Sequence, residues 1–158
     1  MELVRARHRV FPIGRLDRQT TGVLLFTNDG DLAYRLTHPR FKIEKTYRLT
    51  VDGIVGEDTI SAIRSGVDLD GYRTRSCKVE IVERRAGATT LEVRLTEGRK
   101  RQIRRMFALF DHRTIELART ALGDLRFDDL VPGAMRLLSK REERRLRELA
   151  GLAREGEE

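Results

Sequence analysis

Two segments of this chain, CKVEIVERR (77–85) and TTLEVRLTE (89–97), alternate apolar and polar side chains, and only Ala86, Gly87 and Ala88 separate them. A side-chain period of two belongs to a strand with one buried face. Two such strands joined by so short a connection can pair only as an antiparallel hairpin. The fold must therefore contain an antiparallel sheet.

The other segments add to that sheet or cover it. KTYRLTVDG (45–53) has β-branched and aromatic content, with Tyr47, Leu49 and Val51 alternating against polar residues, and is predicted as a strand. GVLLFT (22–27) is a continuous apolar run after a glycine and is predicted as a buried strand. Residues 114–127 are predicted as mainly strand and turn. Helices are expected after Asn28 or Asp29, with Leu32, Ala33 and Leu36 on one face, and over 56–66, with Gly66 as the stop. Two more are expected over 99–110 and over 139–150, the last opened by a Ser139–Glu142 capping box. Strands outnumber helices, and the predicted fold class is α+β: a mixed, largely antiparallel sheet flanked by helices.

At 158 residues the chain suits one domain, and 39% hydrophobic content is enough for a core. The formal net charge is +7, which favours a polyanionic partner, with nucleic acid ahead of an anionic membrane surface. No apolar run approaches the roughly 18 residues of a spanning helix, so no membrane role is expected. MELVRARHRVF lacks an apolar signal core, and the expected location is the cytoplasm. Cys77 is the single cysteine, and His8, His38 and His112 lack ligand spacing, so no metal site is expected. GxGxxG, P-loop and HExxH patterns are absent, which removes support for nucleotide cofactors and zinc hydrolysis.

The positive charge is concentrated. In EGRKRQIRRMFALF, helical periodicity puts Ile103, Met106, Phe107 and Phe110 on one face, and Lys100, Arg101, Arg104 and Arg105 broadly on the other. Such a block repels itself unless a polyanion binds it. Arg104 lies toward the border of the apolar face, within reach of a cleft. A second candidate site is RLDRQTTG (15–22), where Asp17 stands between Arg15 and Arg18 in a segment bounded by Gly14 and Gly22. The spacing supports two readings: a turn aspartate paired with Arg15 or Arg18, or a catalytic carboxylate on a loop held by a strand.

GRLDRQTTGVLLFTNDGDLAYRLTHP, KTY and EGRKRQIRRMF, in this order, resemble the successive signatures of ribosomal RNA pseudouridine synthases. The subgroup joins the type A synthase of small-subunit RNA to the type B, E and F synthases of large-subunit RNA, and the chain is most similar to type B. The resemblance implies a sheet crossed by an RNA-binding cleft. It also implies isomerisation of uridine to pseudouridine in ribosomal RNA, without cofactor or metal. Asp17 then acts as the essential carboxylate, and Arg15 holds RNA with the target nucleotide flipped out. Tyr47 stacks on the base and assists removal of the carbon-5 proton, while Arg104 pairs with Asp17. Arg18, Arg99, Lys100, Arg101 and Arg105 are the expected phosphate contacts, and Lys45 either touches phosphate or flanks the strand. Tyr34 and Tyr72 are further aromatic candidates, with Tyr34 expected to pack partly buried.

Relatives place an S4-type RNA-binding domain and a strand with a Lys-Pro-x-Gly motif ahead of the GRLD sequence. Residues 1–158 are therefore expected to be the catalytic domain without those two parts. An uncovered sheet edge would then be hidden by residues 1–11, including Val4, Val10 and Phe11, or would promote self-association of an otherwise monomeric protein. The rival reading from another class is a non-catalytic RNA- or ribosome-binding module. Asp17, Tyr47 and Arg104 separate the two readings, since binding alone needs no carboxylate among arginines.

Overall fold

The computed structural model of the chain describes residues 9–128 and 130–152. Along the chain, strands β1 (Phe11–Pro12), β2 (Thr21–Gly22) and β3 (Phe26–Thr27) lead into helix α1 (Gly30–Thr37). Strand β4 (Lys45–Asp52), helix α2 (Glu57–Ser65) and the short strands β5 (Asp68–Leu69) and β6 (Tyr72–Arg73) follow. The hairpin of β7 (Lys78–Arg85) and β8 (Ala88–Leu95) precedes helix α3 (Gln102–Ala108), strands β9 (Thr114–Leu122) and β10 (Leu125–Arg126), and helix α4 (Lys140–Leu149).

The main sheet runs β10-β9-β4-β8-β7, antiparallel throughout, with β2 added parallel to β9. The α+β expectation is met. The expected hairpin and the 45–53 strand form the centre of the sheet and one of its edges. Alternation sends Leu49 and Val51 of β4, and Leu91 and Val93 of β8, into one fully buried layer. Ile60 and Ile63 of α2, with Ile103, Met106 and Phe107 of α3, pack against them. A second cluster joins Leu32, Ala33 and Leu36 of α1 to Leu146 of α4 and to Ile13, Leu25 and Phe127.

Local signals set the helix boundaries. The Asp29 side chain accepts a hydrogen bond from the Leu32 N–H at 3.0 Å and caps α1. Ser139 and Glu142 form the expected capping box on α4. Gly66 ends α2 at φ 93°, where a Cβ would lie 2.4 Å from the Thr74 carbonyl oxygen.

Several expectations are corrected. The run 22–27 is not one strand, because β2 pairs with β9 and β3 pairs with β1, so the chain changes partner between them. The Leu25 side chain is still buried, which accounts for the apolar run. Helix α3 begins at Gln102 rather than at 99, because Arg101 adopts a left-handed conformation (φ 53°) that ends helical geometry there. Tyr34 is about half exposed (48%), on the outer side of α1, with its ring against His38 and Phe41. Phe11 and Pro12 do not extend the main sheet. They pair with β3 in a separate ribbon, Phe11 stays 40% exposed, and Val4 and His8 lie outside the described residues.

Gly22 lets β2 approach the backbone of β9 closely. At φ 107°, a Cβ at this position would stand 2.1 Å from the Arg119 carbonyl oxygen and 2.4 Å from its nitrogen. Gly22→Ala is therefore expected to displace β2 from β9 and to lower stability by roughly 2–3 kcal/mol. Equilibrium urea unfolding measures this, and a change below about 0.5 kcal/mol would contradict the close approach.

Candidate active site

The segment 14–20 leaves the core at Ile13, whose N–H donates to the Leu25 carbonyl at 2.7 Å, and returns to the sheet at β2. Within it, the Thr20 N–H donates to the Asp17 carbonyl at 2.8 Å and closes a turn. The Asp17 carboxylate is half-buried. Among the described residues it forms no ion pair with Arg15 or Arg18.

The sheet and α3 grip this loop from two sides. Arg119, buried on β9, donates from Nε and Nη2 to the Val23 carbonyl at 3.0 and 2.8 Å, while its own carbonyl accepts the Val23 N–H at 2.9 Å. From α3, Arg104 donates to the Gln19 carbonyl at 2.6 Å, and Arg101 to the Gln19 side chain at 3.2 Å. The direct ion pair of Arg104 with Asp17 implied by the resemblance is thus not formed in this structure. The Gln19 carbonyl takes the guanidinium instead, and Arg104 is linked to Asp17 only through its electrostatic field.

A β-bulge sets what faces the cleft. Between Thr46 and Tyr47 the β4–β9 register shifts, so Tyr47 lies opposite Arg119 rather than Thr120, with Val93 on its other side. Bulges redirect side chains in this way. Burial pushes the Tyr47 hydroxyl above its usual pKa and the Asp17 charge adds to that rise, while Arg119 opposes both. Burial, and then Arg119, lowers the pKa of Lys45.

Together these elements enclose a cleft of about 530 Å3, within the range of small-ligand sites. Asp17, Tyr47, Arg15 and Lys45 line it, and Arg99, Lys100 and Arg101 contribute to its wall. Arg18, Arg104 and Arg105 do not. Arg18 is exposed on the turn, Arg104 is occupied with Gln19, and Arg105 pairs with Asp70. Tyr72 is engaged as well: its hydroxyl donates to Glu97 and its ring lies under the Arg99 guanidinium. Sequence reasoning missed Arg119, Gln19, Glu97 and Gln102. Arg119 gave one signal, a charged residue at an inward position of an apolar strand.

The chain is 38% identical over 144 residues to an uncharacterised RNA pseudouridine synthase of Aquifex aeolicus, covering 91% of this chain and 58% of that protein. It is equally similar (38% over 144 residues) to ribosomal large subunit pseudouridine synthase B of Bacillus subtilis, covering 90% of this chain and 59% of that one. The chain thus spans a little under three fifths of the length of these relatives. A crystal structure of a pseudouridylate synthase, 34% identical, superposes with a TM-score of 0.81 over 87% of this chain and 59% of that chain. An H/ACA RNP bound to a substrate RNA containing 2′-deoxyuridine shares the fold at 20% identity and a TM-score of 0.58, over 77% of this chain and 41% of that one. The family model for RNA pseudouridylate synthases matches residues 3–109, and with these relatives it shows that the chain belongs to that family.

Proposed function

We propose that this chain isomerises uridine to pseudouridine in ribosomal RNA, with large-subunit RNA as the substrate and Asp17 as the essential carboxylate. One observation carries the reading. Asp17 and Tyr47, thirty positions apart, line the same cleft beside a buried arginine and a cationic wall. A module that only bound RNA would need the wall and not the carboxylate. The choice of large-subunit RNA rests on the Bacillus subtilis relative.

The chemistry follows from the groups present. A uridine must leave its stack before its glycosidic bond can be reached, and the cleft has room for the extruded nucleoside. The Tyr47 ring offers that base a stacking surface, typically worth ~1–3 kcal/mol. Asp17 either attacks C1′ or supports departure of the uracil, and both routes use its carboxylate. The C1′–N1 bond breaks, the base turns, and a C1′–C5 bond forms. The proton on C5 then leaves and N1 gains one, so nothing beyond water and side chains enters the balance. Tyr47 assists loss of the C5 proton to water through its hydroxyl, which burial keeps protonated and whose raised pKa Arg119 only partly offsets. Arg15, Lys100 and Arg101 hold backbone phosphates and fix register without reading sequence.

Asp17→Asn keeps the shape of the side chain and removes its charge. It is expected to abolish conversion of ribosomal RNA transcripts and to leave RNA affinity within a few-fold of the parent. Turnover by this variant would contradict the assignment of Asp17, and conversion by neither protein, with RNA binding intact, would favour the binding module. Tyr47→Phe keeps the stacking ring and removes the hydroxyl. Its kcat is expected to fall by about 100-fold or more with KM within threefold, as for loss of a group that assists proton transfer. A kcat near the parent value would reduce Tyr47 to a stacking platform.

A further inference from the structure

Glu97 is an expensive residue to bury. It is 5% exposed, beside a run of three cations, at the end of the hairpin. A buried carboxylate is retained only where donors replace its water. Here there are three, from two separate segments. The Tyr72 hydroxyl donates from β6, the Arg75 N–H donates at 2.9 Å, and the Gln102 side chain donates at 2.6 Å from the start of α3. Burial alone would raise the pKa of Glu97, but these bonds outweigh it and bring the pKa below the ordinary carboxylate value. The network then closes on itself. The other end of the Gln102 amide accepts the Arg99 N–H at 3.0 Å, and the Arg99 guanidinium lies 3.2 Å from the centre of the Tyr72 ring.

The loop held in this way has reason to leave its position. Arg99, Lys100 and Arg101 are consecutive like charges, and Arg101 is in a left-handed conformation that costs a non-glycine residue ~1–2 kcal/mol. Such a conformation persists only where its surroundings over-determine it. We propose that Glu97 is a positioning residue that holds Arg99, Lys100 and Arg101 at the cleft wall in the geometry RNA phosphates require. It acts through Gln102 and Tyr72 and touches no reacting atom. This inference rests on the RNA reading of the cleft and assigns the element that organises its cationic wall.

Glu97→Gln tests it, because the amide removes the charge that strengthens all three bonds and turns its NH2 toward the Tyr72 hydroxyl, which must then accept instead of donate. With a ribosomal RNA transcript as probe, the variant is expected to bind about tenfold more weakly at low salt. The slope of log affinity against log salt should fall by roughly one phosphate contact. In turnover, KM should rise about tenfold while kcat changes less than threefold. A residue that only supported the fold would lower thermal stability and the active fraction and leave the salt slope alone. If Glu97→Gln fails to fold, Tyr72→Phe decides. It removes one donor, keeps the ring under Arg99, and should lower the slope in the same direction by about half as much. A salt slope and KM equal to the parent's, in whichever of the two variants is folded, overturn the inference alone. A parent chain that binds no RNA overturns the reading on which it rests, and the inference with it.

Discussion

The guanidinium of Arg119 on the Val23 carbonyl is the contact through which the sheet holds the Asp17 loop. β2 contributes only two residues to the sheet, and two residues of parallel pairing hold little by themselves. Arg119 adds a charge-assisted fork from the side chain to the ladder bonds of its own backbone. Because the bulge on β9 also sets this residue opposite Tyr47, one buried arginine helps hold the loop, offsets part of the rise in the tyrosine's pKa and lines the cleft. Asp17 and Tyr47 thus stand on elements that share β9 as their support.

Charge organises the rest of the site by the same logic. The carboxylate of Asp17 has no ion-pair partner among the described residues, yet cations surround it at longer range. That arrangement leaves the carboxylate oxygens unoccupied by a side-chain cation. Four of the neighbouring cations are restrained. Arg101 and Arg104 are tied to Gln19, Arg99 is stacked on Tyr72, and Arg105 pairs with Asp70. Each restraint lowers the entropy that a ligand would have to remove on binding. The cleft is in this sense pre-organised before any substrate binds.

Much of this was legible in the sequence where the signal was local. The hairpin, the 45–53 strand, the caps at Asp29 and Ser139 and the stop at Gly66 are each dictated by side chains within a few residues. Asp17, Tyr47, Arg15 and Lys45 were named from motifs, and the fold brings them to one cleft. What escaped the sequence was non-local. The run 22–27 looks like one buried strand, because apolar content cannot reveal that its two ends pair with different strands. The start of α3 was misplaced because helical periodicity continues through Arg99–Arg101, whereas Glu97 and Gln102 hold those residues in a turn. Arg119 was missed because its role depends on a bulge, and a bulge changes which residue faces a neighbour without changing the sequence pattern.

The central claim is that this cleft rearranges a uridine within RNA. The most direct measurement incubates the chain with ribosomal RNA transcripts and maps pseudouridine at single-nucleotide resolution against a reaction without protein. The account predicts near-complete conversion at one or a few uridines, most of them in the large-subunit transcript. Folded protein that binds the transcripts and leaves every uridine at background would contradict it.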